Sequence, residues 1–306
     1  MEGLGMGEFV AAGLLSHVPT IMLPRETRLE LNDGKEISLV PALERLRKDV
    51  FETMDYDTVL VLDSHWFTTV EFVITSHGRR AGLFTAEELP RGMCRIPYEW
   101  RGDPEFAHAI ASHADEQSTW ITANDDEYLP LYYPTLNIWS YLGRGLDKQW
   151  LSMSVCQTAD TEDYLRVGRA IRQAIADVDR KVIVIATGSM SHTFYPLREI
   201  RTNPQVERSD PKYLFSDKAR EMDYERLAWM SEGRHDTVLD TMDEFLTVRP
   251  EAKFAHYLMM AAALGERDFA APGRQISDYE NSIGTSQVHV WFDRPESGWT
   301  RKGALA

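Results

Sequence analysis

Val59-Leu60-Val61-Leu62-Asp63-Ser64-His65-Trp66 is the stretch that decides the fold. With Thr58 before it, its first half is a near-continuous apolar run. Such a run is expected of a central strand covered on both faces, as in a parallel sheet. The pattern predicts a strand over 58–63 that runs out at His65. In open α/β sheets, ligands gather beyond the carboxyl ends of the strands.

Two further segments repeat the arrangement. Ala11-Ala12-Gly13-Leu14-Leu15-Ser16 leads to His17, and Lys181 to Ala186 leads through Thr187-Gly188-Ser189-Met190-Ser191 to His192. Each of the three histidines follows a serine. A parallel sheet brings such ends together, so a shared metal or catalytic site is one reading. Three separately hydrogen-bonded structural histidines is the other, and the spacing leaves both open. Two imidazoles and a carboxylate make a facial triad, the donor set that holds non-haem Fe(II) and leaves positions open.

Helical periodicity fills the connections. A helix is expected from Pro41 to Met54, with Leu43, Leu46, Val50 and Met54 on its buried stripe, and Pro41 belongs in its first turn. Thr161 to Val178 is a clear amphipathic helix, and shorter helices are expected at Pro104–His113 and Pro134–Leu142. Further strands are expected at 69–75, 119–122, 150–155 and 287–292. Arg79 to Gly102, with Gly82, Pro90, Gly92 and Pro97, reads as a long irregular connection. Arg198 to Phe215 reads as a surface excursion. Helices at 216–232, 236–245 and 253–264 follow. Strands alternating with helices indicate an α/β fold. The expectation is a single catalytic domain over 1–306, a central mixed, mostly parallel sheet flanked by helices.

Composition narrows the class. The 306 residues carry a formal net charge of -15 and no Lys/Arg-rich stripe, which argues against nucleic-acid binding. No segment reaches the roughly 18 apolar residues of a membrane helix, and no basic-then-apolar leader opens the chain. A cytoplasmic protein is expected, with Cys94 and Cys156 as reduced, partly buried thiols.

Glu251 opens a helix-like segment, Pro250-Glu251-Ala252-Lys253-Phe254-Ala255-His256. Read locally, it is a first-turn glutamate compensating the helix dipole. His256, five residues on, does not share its helical face.

The chain resembles the class III extradiol ring-cleavage dioxygenases from about Glu8 to Phe292. The resemblance is carried by Leu15-Ser16-His17-Val18-Pro19, Leu62-Asp63-Ser64-His65-Trp66, Gly188-Ser189-Met190-Ser191-His192 and Ile283-Gly284-Thr285-Ser286-Gln287-Val288. Glu87-Glu88-Leu89-Pro90 and the helix up to Leu264-Gly265 favour the homoprotocatechuate branch. The resemblance implies that His17, His65 and Glu251 bind Fe(II), with Asp278 and Glu280 as fallback acids, and that His192 is the acid–base catalyst. It implies a small aromatic diol such as 3,4-dihydroxyphenylacetate and O2 as substrates, aromatic-compound catabolism, and a homo-oligomer. A 2-aminophenol, or another catechol, is the alternative substrate. A zinc hydrolase, or a non-catalytic binder on the same scaffold, is the more distant alternative.

One departure stands out. Several relatives carry a second pocket histidine where this chain reads Glu127-Tyr128-Leu129-Pro130-Leu131-Tyr132-Tyr133-Pro134. Its duty would fall to Tyr132, Tyr133 or Glu127. Trp66, Phe67, Tyr132, Tyr133 and Trp139 are candidates for an aromatic wall around the substrate. Arg91, Arg95 and Arg101 are candidate partners for a substrate carboxylate.

Overall fold

The computed structural model describes residues 6–90 and 92–301. Its strands are β1 (Glu8–Leu15), β2 (Thr58–Thr68), β3 (Phe72–Thr75), β4 (Arg79–Phe84), β5 (Ile96–Arg101) and β6 (Ile121–Asn124). They continue with β7 (Gln149–Cys156), β8 (Lys181–Thr187), β9 (Arg274–Gln275), β10 (Glu280–Ser282), β11 (Thr285–Gln287) and β12 (His289–Asp293). Ten of these form one sheet along β4-β5-β7-β2-β8-β1-β12-β9, with β3 and β6 branching from β7. β7, β2, β8 and β1 run parallel. β12 closes one side antiparallel to β1, and β4 pairs antiparallel with β5 at the other. The expected mixed, mostly parallel sheet is the observed one.

Alternation along β2 explains why the sheet needs two cores. Val59 and Val61 face one layer with Leu43, Ile185 and Trp139, while Leu60 and Leu62 face the other with Val184, Ile171 and Met259. The second layer holds the helices Thr161–Ala174 and Ala255–Ala263. The first is amphipathic and opens on a reciprocal cap, Asp160 with Asp163. The other is apolar all round and wholly buried. Gly168 lets them touch, because a Cβ there would lie 2.4 Å from that of Ala262.

Several expectations are corrected. Arg79–Gly102 is not one irregular connection but a β4–β5 hairpin around the loop 85–95, in register from Arg79↔Arg101 to Phe84↔Ile96. Gly82 and Pro97 read as breakers in sequence, yet both are tolerated at a half-exposed edge. The helix expected to reach Met54 is α-helical only over Leu39–Leu46, then loosens into a π-turn over Arg47–Phe51. The last strand splits into β11, which pairs only with β10, and β12. Residues 236–245 form two short helices rather than one. Cys94 is exposed, and only Cys156 is buried. No helix among the described residues is long and apolar enough to cross a membrane.

Candidate metal centre

Sheet register places two histidines side by side. β8 lies between β1 and β2, and Thr187 is level with both Leu15 and Asp63. His17 and His65 therefore each sit two residues beyond the same rung. β2 does not run out at His65, as the sequence suggests. Its register with β7 jumps from Leu62↔Met153 to Phe67↔Val155, so five residues on β2 answer two on β7. Asp63 to Trp66 form that bulge, and a bulge re-aims a side chain without ending the strand.

Buried Asp63 fixes the bulge. One carboxylate oxygen accepts from the backbone N–H groups of His65 and Trp66, at 3.0 and 3.1 Å. The other accepts from the Thr135 hydroxyl at 2.7 Å and the Thr135 N–H at 3.2 Å, tying the bulge to the helix Tyr133–Leu142.

Glu251 arrives by an unusual route. Ala252, Lys253 and Phe254 have φ of 47°, 57° and 63°, three consecutive non-glycine residues in the left-handed region. Such a run is strained and persists only where its surroundings hold it. Here the Glu251 N–H donates to the Met190 carbonyl, the His192 N–H donates to the Arg249 carbonyl, and Lys253 Nζ donates to the carbonyls of Gln157 and Ala159. The α-helix begins only at Ala255. The local reading of Glu251 as a first-turn residue therefore fails, and so does the helical-face argument about His256. His256 is fully buried behind Gly188, where a Cβ would lie 2.5 Å from its Nε2, and it feels the charge of Glu251.

The three side chains converge. Glu251 Oε1 lies 3.4 Å from His17 Nε2 and 3.2 Å from His65 Nε2, and a group of donor atoms within 4.8 Å of one another can hold a metal ion. Neighbouring ligands on a shell of ~2.1 Å stand about 3 Å apart, so the spacing fits a divalent cation. The surroundings fit as well. His17 Nδ1 is hydrogen-bonded to Thr187 Oγ1 at 2.9 Å, which leaves Nε2 free, and Asn137 Nδ2 donates to the His17 carbonyl. Ligand histidines are oriented in this manner through the second ring nitrogen. Glu251 Oε1 accepts from Ser64 Oγ, and Oε2 accepts from the Ser189 N–H at 2.6 Å and hydroxyl at 2.7 Å.

Electrostatics prepare the donors. Burial holds His17 down to about 3, so its ring is neutral. Burial opposes ionisation of Glu251, but the flanking imidazoles outweigh it and hold the carboxyl well below its usual range. Burial also acts to lower His65, but the hydrogen bond to Glu251 and its charge raise it overall.

His192 Nε2 lies 3.8 Å from Glu251 Oε2, and its ring centroid is 6.4 Å from that of His65. Burial, first of all, lowers it. Its neighbour Ser191 is anchored to buried Asp223, which accepts from the Ser191 hydroxyl at 2.6 Å and the Tyr279 hydroxyl at 2.6 Å. The Tyr133 hydroxyl lies 2.9 Å from His65 Nε2, so of the three candidates to replace the missing histidine it is the one at the centre. Tyr132 stacks on Trp66 at 5.8 Å beside it, while Glu127 is exposed.

Other candidates lie elsewhere. Phe67 faces solvent, and Trp139 packs against Trp100 in the core. Asp278 is exposed, and Glu280 is spent on the Ser38 N–H. Arg95 is exposed, Arg101 pairs with Asp147, and Arg91 lies outside the described residues. Thr187, Asp63 and Asp223 are not singled out by the sequence as site residues, whereas Ser189 belongs to the polar edge that the sequence places beyond the 181–186 strand. The serine before each histidine was the one visible signal, and Ser64 is the one that reaches Glu251.

Comparison with known proteins identifies the family. The family model described as the catalytic LigB subunit of aromatic ring-opening dioxygenase matches residues 11–293. The chain belongs to that family and is a ring-cleavage dioxygenase, which sets aside the hydrolase and binding-protein alternatives. The 3,4-dihydroxyphenylacetate 2,3-dioxygenase of Escherichia coli is 29% identical over 192 residues, covering 62% of this chain and 68% of that one. The crystal structure of the uncharacterized protein JW3007 from Escherichia coli K12 shares the fold, with a TM-score of 0.58 at 15% identity, over 92% of this chain and 99% of that one.

Proposed function

We propose that this chain is an Fe(II)-dependent extradiol dioxygenase. It opens a substituted catechol of the 3,4-dihydroxyphenylacetate type, a dihydroxyphenyl ring with one substituent, and forms a muconic semialdehyde with both atoms of O2. The observation that carries the reading is the convergence of His17, His65 and Glu251 on one point, with His192 3.8 Å from the other oxygen of the same carboxylate.

His17, His65 and Glu251 would hold the metal. Fe(II) bound there would supply a single centre at which a catecholate and dioxygen meet and exchange electrons. The remaining work falls to the protein. His192, kept neutral by burial, accepts a catechol proton at Nε2 and returns it to an oxygen of the product. Burial raises the Tyr133 phenol, so it stays protonated and serves as a hydrogen-bond donor beside His65. The stacked Trp66–Tyr132 pair forms an apolar wall.

Anaerobic reconstitution with Fe(II), followed by aerobic addition of catechols and 2-aminophenol, tests this directly. The expected result is oxygen uptake equal to the appearance of a yellow ring-opened product, and none with Zn(II) in place of iron. No uptake with any compound would overturn the proposal.

A further inference from the structure

Asp223 is a buried carboxylate with no part in the chemistry proposed for the centre. It sits in the helix Asp217–Ser231, fully buried, and among the described residues it makes no ion pair. Burying a carboxylate is costly unless hydrogen bonds replace its water. Asp223 accepts from the Ser191 hydroxyl at 2.6 Å, the Ser191 N–H at 3.2 Å and the Tyr279 hydroxyl at 2.6 Å. The Ser191 carbonyl accepts from the N–H and hydroxyl of Ser286, at 2.9 and 3.1 Å. Every polar group of Ser191 is thereby fastened, to this helix or to the β10–β11 hairpin.

Ser191 lies where two functional side chains meet the backbone. It pairs with Pro250 in an isolated antiparallel bridge. On one side the His192 N–H donates to the Arg249 carbonyl at 3.0 Å, and on the other the Glu251 N–H donates to the Met190 carbonyl at 2.9 Å. The hairpin turn pins the segment again just beyond His192. The Tyr195 N–H donates to the Ile283 carbonyl at 3.2 Å, and a Cβ on Gly284 would lie 2.6 Å from the Thr193 carbonyl oxygen.

The side chain of His192 has fewer ties than its backbone. His17 is hydrogen-bonded to Thr187 and His65 to Tyr133, but neither ring nitrogen of His192 makes a hydrogen bond among the described residues. Its ring packs edge-on against Phe194, with centroids 4.7 Å apart, and Phe194 is itself exposed. The place of the imidazole therefore depends on how its backbone is held.

We propose that Asp223 is a positioning residue, which through Ser191 holds the His192 imidazole where it exchanges a proton with substrate at the centre. The proposal rests on the reading that His192 is the acid–base group of a catechol-cleaving site. The test uses the Fe(II)-loaded full chain as parent, Asp223→Ala, His192→Ala and the double variant. Oxygen uptake with unsubstituted catechol and 3,4-dihydroxyphenylacetate gives kcat and KM.

Asp223→Ala is expected to lower kcat by about 10- to 100-fold, as for a reacting group displaced by about 1 Å, with KM close to that of the parent. In the His192→Ala background the same substitution should change kcat by less than about twofold, because the group it positions is gone. Metal affinity, read by competition with a chelator, should fall by less than about tenfold, the smallest loss usual for a group that touches a ligand. Ser191→Ala removes only the hydroxyl tie and is the second variant should Asp223→Ala not fold. It should lower kcat by about 2- to 10-fold, again only while His192 is present. Equal losses of kcat with and without His192, a larger loss of metal, or kcat unchanged in both variants would overturn the proposal while leaving catechol cleavage by the parent intact. No uptake by the parent with any catechol would overturn the underlying reading and this inference together.

Discussion

Two buried regions of this molecule hold histidines, and they spend them differently. In the helical layer, His235 has both ring nitrogens committed, to the Tyr257 hydroxyl at 2.7 Å and the Ala271 carbonyl at 2.9 Å. Its ring stacks on Phe269 at 3.7 Å. At the rim of the sheet, Nε2 atoms of His17, His65 and His192 all lie within 3.8 Å of one carboxylate, that of Glu251. Burial alone therefore does not distinguish a structural from a chemical histidine. What differs is the partner: both His235 nitrogens are spent on uncharged groups, while one nitrogen of each rim histidine lies within 3.2–3.8 Å of the same carboxylate.

The largest effect should follow from removing a donor at the rim. His17→Ala, His65→Ala and Glu251→Ala are each expected to abolish metal retention after desalting, read by metal analysis, and with it all turnover. A variant that kept stoichiometric metal would remove that residue from the ligand set.

His192→Ala should behave differently. Iron content is expected to stay near one per chain while kcat falls about 10²–10⁴-fold, the usual worth of a positioned acid–base group. Loss of iron instead would make His192 a ligand. Ser189→Ala, which removes one donor to Glu251 Oε2, should weaken metal affinity by about 10- to 100-fold, measured by competition with a chelator.

His235→Phe tests the other region. It leaves the Tyr257 hydroxyl without its partner, so a loss of about 1–3 kcal/mol in urea denaturation is expected, with kcat close to that of the parent. Acid should act through the same residue. Burial holds His235 down to about 4 in the fold, against 6.5 when unfolded. The fold excludes a proton that the unfolded chain accepts. His235 therefore contributes fully above pH 6.5, and its contribution is lost as pH falls from 6.5 through about 4. Stability should drop by about 3 kcal/mol across that window, and the drop should be smaller in His235→Phe. An identical pH slope in both proteins would assign the acid sensitivity to other buried histidines, such as His289.

Much of the architecture was legible because the central strands bury both faces. Thr58–Asp63 and Lys181–Ala186 had to be apolar throughout, and that pattern has few other meanings. The β4–β5 hairpin was not legible, because an edge strand tolerates the glycine and proline that normally end strands. His17, His65 and His192 were visible as residues following buried strands. Glu251 was not. Its local sequence matches an ordinary helix start, and only the resemblance to a known family singled it out.

The sequence by itself determined the layered α/β plan, because hydrophobic periodicity is a local property that each segment carries alone. It also determined which side chains the sheet would bring to its rim. Tertiary structure alone decided that Glu251 meets them. Three left-handed residues, in a segment held by hydrogen bonds to Met190, His192 and Gln157, turn that carboxylate inward. Such a conformation is unfavourable for isolated residues and exists only when distant parts of the chain, already folded, hold it in place.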